Sequence, residues 1–232
     1  MGSDVPATGF RAHGSVTVAS NDSELKVLEA AAALSDASDR RFTLLDADGV
    51  RRVNPGLQGR FVAGLHCGLD AALEPRQCLG ALRGWLEGSG RYEFLAPREV
   101  LEVAETSVVD STGVSYRGDL VVICAGALSS GPLWRVFESD KLRRVRLQMI
   151  ETEPLGRLLT TAVADGNSLR YYPAFADLAA RLLGPHDPAL SRLGMQLLCQ
   201  QRLDGRLTLG DTHERDEPFD FDLSDESVAL IE

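Results

Sequence analysis

The sequence is short of positive charge: 24 lysines and arginines stand against 34 aspartates and glutamates, leaving a net charge of −10. An acidic surface repels phosphate backbones and anionic headgroups, which argues against a nucleic-acid or membrane-surface partner. No apolar run approaches the roughly 20 residues that span a bilayer. Residues 1–10 lack the basic and apolar stretches of a secretory leader. Cysteine is scarce and scattered, at Cys67, Cys78, Cys124 and Cys199, with no CxxC pair. Neither a disulfide framework nor a zinc site is expected, and reduced thiols in the cytoplasm are. The four histidines are dispersed too, without an HExxH pattern, so no metal is expected.

At 44% hydrophobic and 25% charged, the 232 residues can fill one large domain or two small ones. The densest apolar stretch is Gly118-Asp119-Leu120-Val121-Val122-Ile123-Cys124-Ala125-Gly126-Ala127. An unbroken apolar run closed by small residues predicts a strand buried on both faces, at the centre of an α/β layer. Its Ala-Gly-Ala exit is either a tight turn or a place where backbone passes close to something bulky, since glycine has no Cβ in the way. Upstream, residues 98–103 predict a strand, and residues 106–117 a hairpin turning at Asp110 to Gly113.

The rest of the chain alternates short strands and helices. Residues 14–19 predict a strand, and Asn21, Asp22 and Ser23 offer caps for a helix to Leu34. A strand over 42–45 leads to Asp46, which can cap a short helix that Pro55 stops. After a strand over 60–65, Pro75 opens a helix whose apolar stripe is Leu79, Leu82 and Leu86. Gly131-Pro132 starts a helix to Phe137, and residues 143–152 alternate as a strand. Residues 168–172 predict a strand stopped by Pro173, with a helix over 176–183. Asp204-Gly205, between two strand patterns, is the strongest hairpin signal. A last helix begins after 222, with Ser224 as its cap.

This order of elements resembles the D-amino-acid-oxidase-like FAD oxidoreductases. The residues that carry it are Gly14-Ser15-Val16, Leu147-Gln148-Met149, Leu169-Arg170-Tyr171-Tyr172-Pro173-Ala174-Phe175 and Leu209-Gly210-Asp211-Thr212-His213-Glu214, in the family's order. The nearest pattern is the bacterial subgroup found with aminophosphonate degradation. The resemblance implies an α/β fold of mixed α+β character, with a partial FAD-binding Rossmann-like domain, an antiparallel-sheet substrate domain, and FAD as cofactor. It assigns residues 1–58 to the substrate domain and connecting helices, 59–135 to the partial FAD-binding domain, 136–215 to the substrate domain, and 216–232 to the return toward the FAD-binding domain. The family opens with a βαβ unit carrying GxGxxG, which brings backbone to the dinucleotide pyrophosphate. No such pattern occurs here, and the family's closing Gly-containing segment is unmatched. The expectation is a truncated oxidoreductase that oxidises the C–N bond of a small amine, amino acid or aminophosphonate by hydride transfer to flavin. The alternatives are a flavin-free binding module, or one chain of a split enzyme whose second chain supplies the dinucleotide unit.

The resemblance also implies site residues. The Val100 backbone would meet the adenine end, and Cys124, Ala125 and Gly126 would lie beside the dinucleotide. His213 is implied near flavin and substrate, where an imidazole can hold a proton or orient an amine. Its other reading is a surface histidine in an acidic turn. Tyr171 and Tyr172 alternate across their predicted strand, so one faces the pocket. Tyr171 is the catalytic candidate and Tyr172 the substrate-binding one, against a core or interface role for either. Arg170 is an anion clamp or a solvated arginine. Gln148 is a substrate-binding amide beside the flavin or a cross-strand partner.

Overall fold

The computed structural model describes residues 7–124, 126, 144–215 and 222–232. The chain divides into two units, Met1–Leu82 with Arg146–Glu232, and Arg83–Val145. In the first, seven strands form one sheet: β1 (Ser15–Ala19), β2 (Phe42–Asp46), β3 (Ala63–Cys67), β7 (Arg146–Glu151), β8 (Ala162–Asp165), β9 (Leu198–Gln201) and β10 (Leu207–Glu214). Their order is β2-β3-β1-β8-β9-β10-β7, with β1–β8 the parallel pair and the rest antiparallel. The second unit holds the antiparallel sheet β4 (Val100–Val103), β5 (Ser107–Asp110) and β6 (Ser115–Arg117). The whole is a mixed α/β fold with one large mixed sheet and one small antiparallel sheet.

Side-chain caps set the helices. The Asn21 carboxamide accepts from the Ser23 and Glu24 amides, and Glu24 accepts from the Asn21 side-chain amide and from the Ser20 backbone just before the cap, so paired side chains start α1 (Asp22–Ala32). Asp46 caps α2 (Ala47–Val53) through the Gly49 amide. Helices α3 (Pro75–Gly88), α4 (Pro173–Leu182) and α5 (Pro188–Arg192) open on proline, whose missing N–H costs nothing in a first turn. Ser224 caps α6 (Asp225–Ile231).

Strand register sorts side chains onto two faces of the large sheet. Directly paired residues share a face and alternate along each strand. Ser15 pairs with Cys67 and Ala162, Thr17 with Leu65 and Ala164, and Leu198 with Ala164 and Gly210. Gly210 pairs with Met149 and His213 with Leu147, so all of these lie on one face. Helices α1 and α4 cover one end of it, where Ala19, Val27, Leu28, Ala31, Leu65, Leu169 and Phe175 form a core. Val16, Val50 and Phe61 pack a second core on the opposite face, with α2.

Three expectations change. Residues 168–172 are not a strand: Gly166–Tyr171 is a 3-10 helix, because the Asp165 carboxylate captures both the amide and the hydroxyl of Ser168 and turns the chain. The apolar run 120–124 is not a buried strand either. Leu120 is 76% and Val122 71% exposed, and no described strand offers that run a ladder of hydrogen bonds. The stripe on α3 is superficial, since no residue of α3 is buried. The predicted helix over 131–137 lies outside the described residues.

Candidate functional site

The open end of the α1-bearing face carries His213 near the end of β10. Between Gly210 and Thr212 the register against β7 shifts, and Asp211 is the extra residue of a bulge, a device that re-aims side chains. His213 is 6% and Asp211 7% exposed. The His213 Nδ1 lies 3.0 Å from the Gly194 carbonyl oxygen. A carbonyl only accepts, so Nδ1 carries a proton, and the tautomer this sets leaves Nε2 as the acceptor. Gly194 sits at φ +52°, and a Cβ there would come within 3.1 Å of the His213 Cβ, so a close approach fixes the imidazole from behind. The Tyr171 ring stacks on it with centroids 4.9 Å apart, and Tyr172 meets Tyr171 edge-on at 5.6 Å.

Asp211 is the unusual group here. Its Oδ1 lies 3.7 Å from the His213 Nδ1 and has no hydrogen-bond partner among the described residues. Burial raises its pKa against the opposing pull of His213. A buried carboxyl with one oxygen facing an imidazole is an arrangement that can hold one proton between two groups.

The same face carries a cavity of about 570 Å3, floored by Ser15, Thr17, Ala162 and Ala164 and walled by Phe42 and Phe175. Tyr172 lines it, so the two tyrosines join the cavity to His213. Burial, and then the charges of Asp211 and Asp70, raise the Tyr172 pKa and keep its phenol neutral. Leu147 and Met149, on the His213 side of β7, are 50% and 53% exposed, an apolar surface suited to a flat ring system.

The structure thus brings His213, Tyr171 and Tyr172 together. The two tyrosines share the site because the 3-10 turn carries them there, not because a strand alternates. Gln148 is elsewhere: its amide spans the Ser224 backbone, donating to the carbonyl at 3.1 Å and accepting from the amide at 2.9 Å, and pins α6 to the opposite face. Arg170 donates to the Gly184 carbonyl at 3.0 Å, which ties its guanidinium to the loop after α4. Val100 lies on β4 in the second unit, where Cys124 is exposed and Gly126 adopts φ +61°. Ala125 lies outside the described residues. Sequence reasoning missed Asp211 as a partner of His213, although strand spacing separates them by two. It also missed Asp70, a loop residue without a sequence signal. Among the described residues no cluster of side chains could hold a metal ion.

A profile of the FAD dependent oxidoreductase family, the DAO family, matches residues 3–232. The chain belongs to that family. No curated protein matches it. The structure is similar to glycine oxidase from Bacillus cereus ATCC 14579, with a TM-score of 0.69 and 16% identity over 97% of this chain and 56% of that one. L-proline dehydrogenase from P. horikoshii gives a TM-score of 0.69 at 14% identity, covering 97% of this chain and 55% of that one. L-α-glycerophosphate oxidase from Mycoplasma pneumoniae, solved with FAD bound, gives 0.63 at 14% identity, with 97% and 56% covered. The chain therefore spans just over half the length of these proteins. The family's cofactor is FAD. The apolar face beside His213 fits the flavin end of that molecule, whereas these 232 residues contain no GxGxxG turn for its pyrophosphate.

No helix among the described residues is long and apolar enough to cross a membrane.

Proposed function

We propose that this chain supplies the substrate face of an FAD-dependent oxidoreductase acting on the C–N bond of a small amine, amino acid or aminophosphonate. The observation that supports it most is the buried Asp211–His213 pair, opening beside Tyr171 onto an exposed apolar surface. FAD, when bound, would supply the two-electron acceptor for a hydride from the carbon next to nitrogen. The chain's own residues bind, orient and hold protons. With Nδ1 bonded to Gly194, His213 presents Nε2 as acceptor to the substrate N–H, so the amine lone pair is free when the hydride leaves. Asp211 steadies the imidazole, and Tyr171 holds its plane. Tyr172 offers a neutral hydroxyl to a polar group of the substrate. Gln148 and Arg170 support the site through α6 and the loop after α4 rather than by touching substrate.

Within the same reading, Val100, Cys124, Ala125 and Gly126 belong to the dinucleotide side, and the four free cysteines fit a reducing cytoplasm. Without GxGxxG here, a further segment or a second chain has to cradle the pyrophosphate. The same lack favours a second reading, a flavin-free binding module. A visible spectrum of the purified protein, titrated with FAD, separates the two. A bound, perturbed flavin that amines bleach under anaerobic conditions is expected. In that preparation His213→Ala should slow flavin reduction by roughly 10²-fold. A protein that leaves the FAD spectrum unperturbed at saturating cofactor is the binding module.

A further inference from the structure

The cavity beside Tyr172 has a chemistry that glycine-sized substrates do not need. At about 570 Å3 it falls within the range of pockets that enclose drug-sized ligands. Its floor is made of small residues, Ser15, Thr17, Ala162 and Ala164, and Phe42, Leu65 and Phe175 make its walls apolar.

Its charge is one-sided. Arg40 reaches the lining, but its guanidinium is bonded to Asp36 through Nε at 2.7 Å and Nη2 at 2.6 Å, so that charge is already answered. Asp70, at the rim, accepts from the neutral Ser15 hydroxyl, and no described cation pairs with it. The two thiols in the lining stay neutral: burial raises Cys67, with Asp70 adding to the effect, and pushes Cys199 up to about 11. Asp70 and Tyr172 both line the cavity, and Tyr172 meets Tyr171, whose ring lies on His213.

We infer that this cavity selects amines carrying a bulky aromatic or branched aliphatic group, with the amino group toward Asp70 and the Tyr172–Tyr171 edge that leads to His213, and the hydrocarbon over Ala162 and Ala164. The apolar floor supplies affinity and the unpaired carboxylate supplies the preference for a cation. This names the substrate class of the site proposed above and rests on that reading.

Titration calorimetry of the protein with 2-phenylethylamine, 2-phenylethanol, phenylacetate and ethylamine tests it without needing turnover. 2-Phenylethylamine should bind at least about tenfold tighter than each of the other three. Asp70→Asn keeps an acceptor for Ser15 and should bring 2-phenylethylamine within about twofold of the alcohol, while Ala164→Leu should weaken both aromatic ligands about tenfold. Bound 2-phenylethylamine should also shield Cys67 and Cys199, but not Cys78 or Cys124, from N-ethylmaleimide. Equal binding of phenylacetate, an Asp70→Asn protein that still prefers the amine over the alcohol, or no shielding of the lining thiols overturns the inference. Tight binding without flavin reduction would sink the oxidoreductase reading and leave the cavity's selectivity standing. Oxidation of ethylamine-sized substrates alone, with no binding of the aromatic amine, would do the opposite.

Discussion

In the first unit, Val27, Leu28 and Ala31 of α1 are wholly buried against sheet and helix. Among the described residues of the second unit, the buried side chain is a carboxylate, Asp110. It accepts from the Thr112 amide at 2.8 Å, the Thr112 hydroxyl at 2.6 Å, the Val114 amide at 3.1 Å and the Tyr116 hydroxyl at 2.9 Å. One unit is ordered by removing hydrocarbon from water, the other by saturating one anion with donors. Apolar burial is non-directional and spreads stability over a whole layer, whereas a hydrogen-bonded hub orders only the turn around it. The candidate site accordingly stands on the first unit, where a packed layer can hold His213 and the tyrosines in fixed relation.

Leu28→Ala should have the largest effect. The side chain is fully buried in the core of α1, and truncating it should cost about 2–5 kcal/mol. Val109→Ala in β5, only partly buried, should cost about 1 kcal/mol or less. Urea unfolding of both variants measures the contrast. Equal losses would mean that the second unit hides a core its surface does not show.

Gly194→Ala probes the site rather than the core. Its positive φ and its 3.1 Å approach to His213 both oppose a side chain, and the strain should cost about 1–2 kcal/mol. The imidazole should move with it, so the ring resonances of His213 should shift while those of His66 stay in place. A variant with wild-type stability and unshifted His213 resonances would show that the imidazole is fixed from elsewhere.

Where local chemistry decides, the sequence was legible. The Asn21 and Asp46 caps, the proline-opened helices, the turns at Asp110–Gly113 and Asp204-Gly205, and β7 with its alternating side chains all follow from neighbouring residues. That His213, Tyr171 and Tyr172 meet was not legible as geometry. A single carboxylate, Asp165, decided that Leu169-Arg170-Tyr171 would coil, outweighing the strand pattern around it. Gln148 looked like a site residue because alternation does not say which face a strand turns to the ligand. That depended on the cap of α6, 76 residues away in the chain. The run 120–124 misled for the opposite reason, since apolar content promises a strand only where a neighbour completes the ladder.

The smallest effect on the molecule as a whole should come from acid, and it should fall on the second unit first. Donation from the Thr112 hydroxyl, with further help from the Thr112 amide, the Tyr116 hydroxyl and the Val114 amide, outweighs burial and depresses the Asp110 pKa to about 2. An unperturbed aspartate titrates near 3.9. The folded pKa lies below the unfolded one, so the hub's contribution is complete above about pH 4 and is lost as pH falls toward 2. Hydrogen exchange should show the Val114 and Gly113 amides, which close the hairpin, losing protection across that window. The amides of Val27 and Leu28 should keep theirs until the first unit unfolds. Asp110→Asn retains an acceptor for the Thr112 and Val114 amides but has no charge to titrate, so the hairpin should be weaker at neutral pH and flat between pH 4 and 2. If the acid loss persisted unchanged in that variant, another carboxylate would be ordering the turn, and the contrast between an apolar unit and a unit hung on Asp110 would fail.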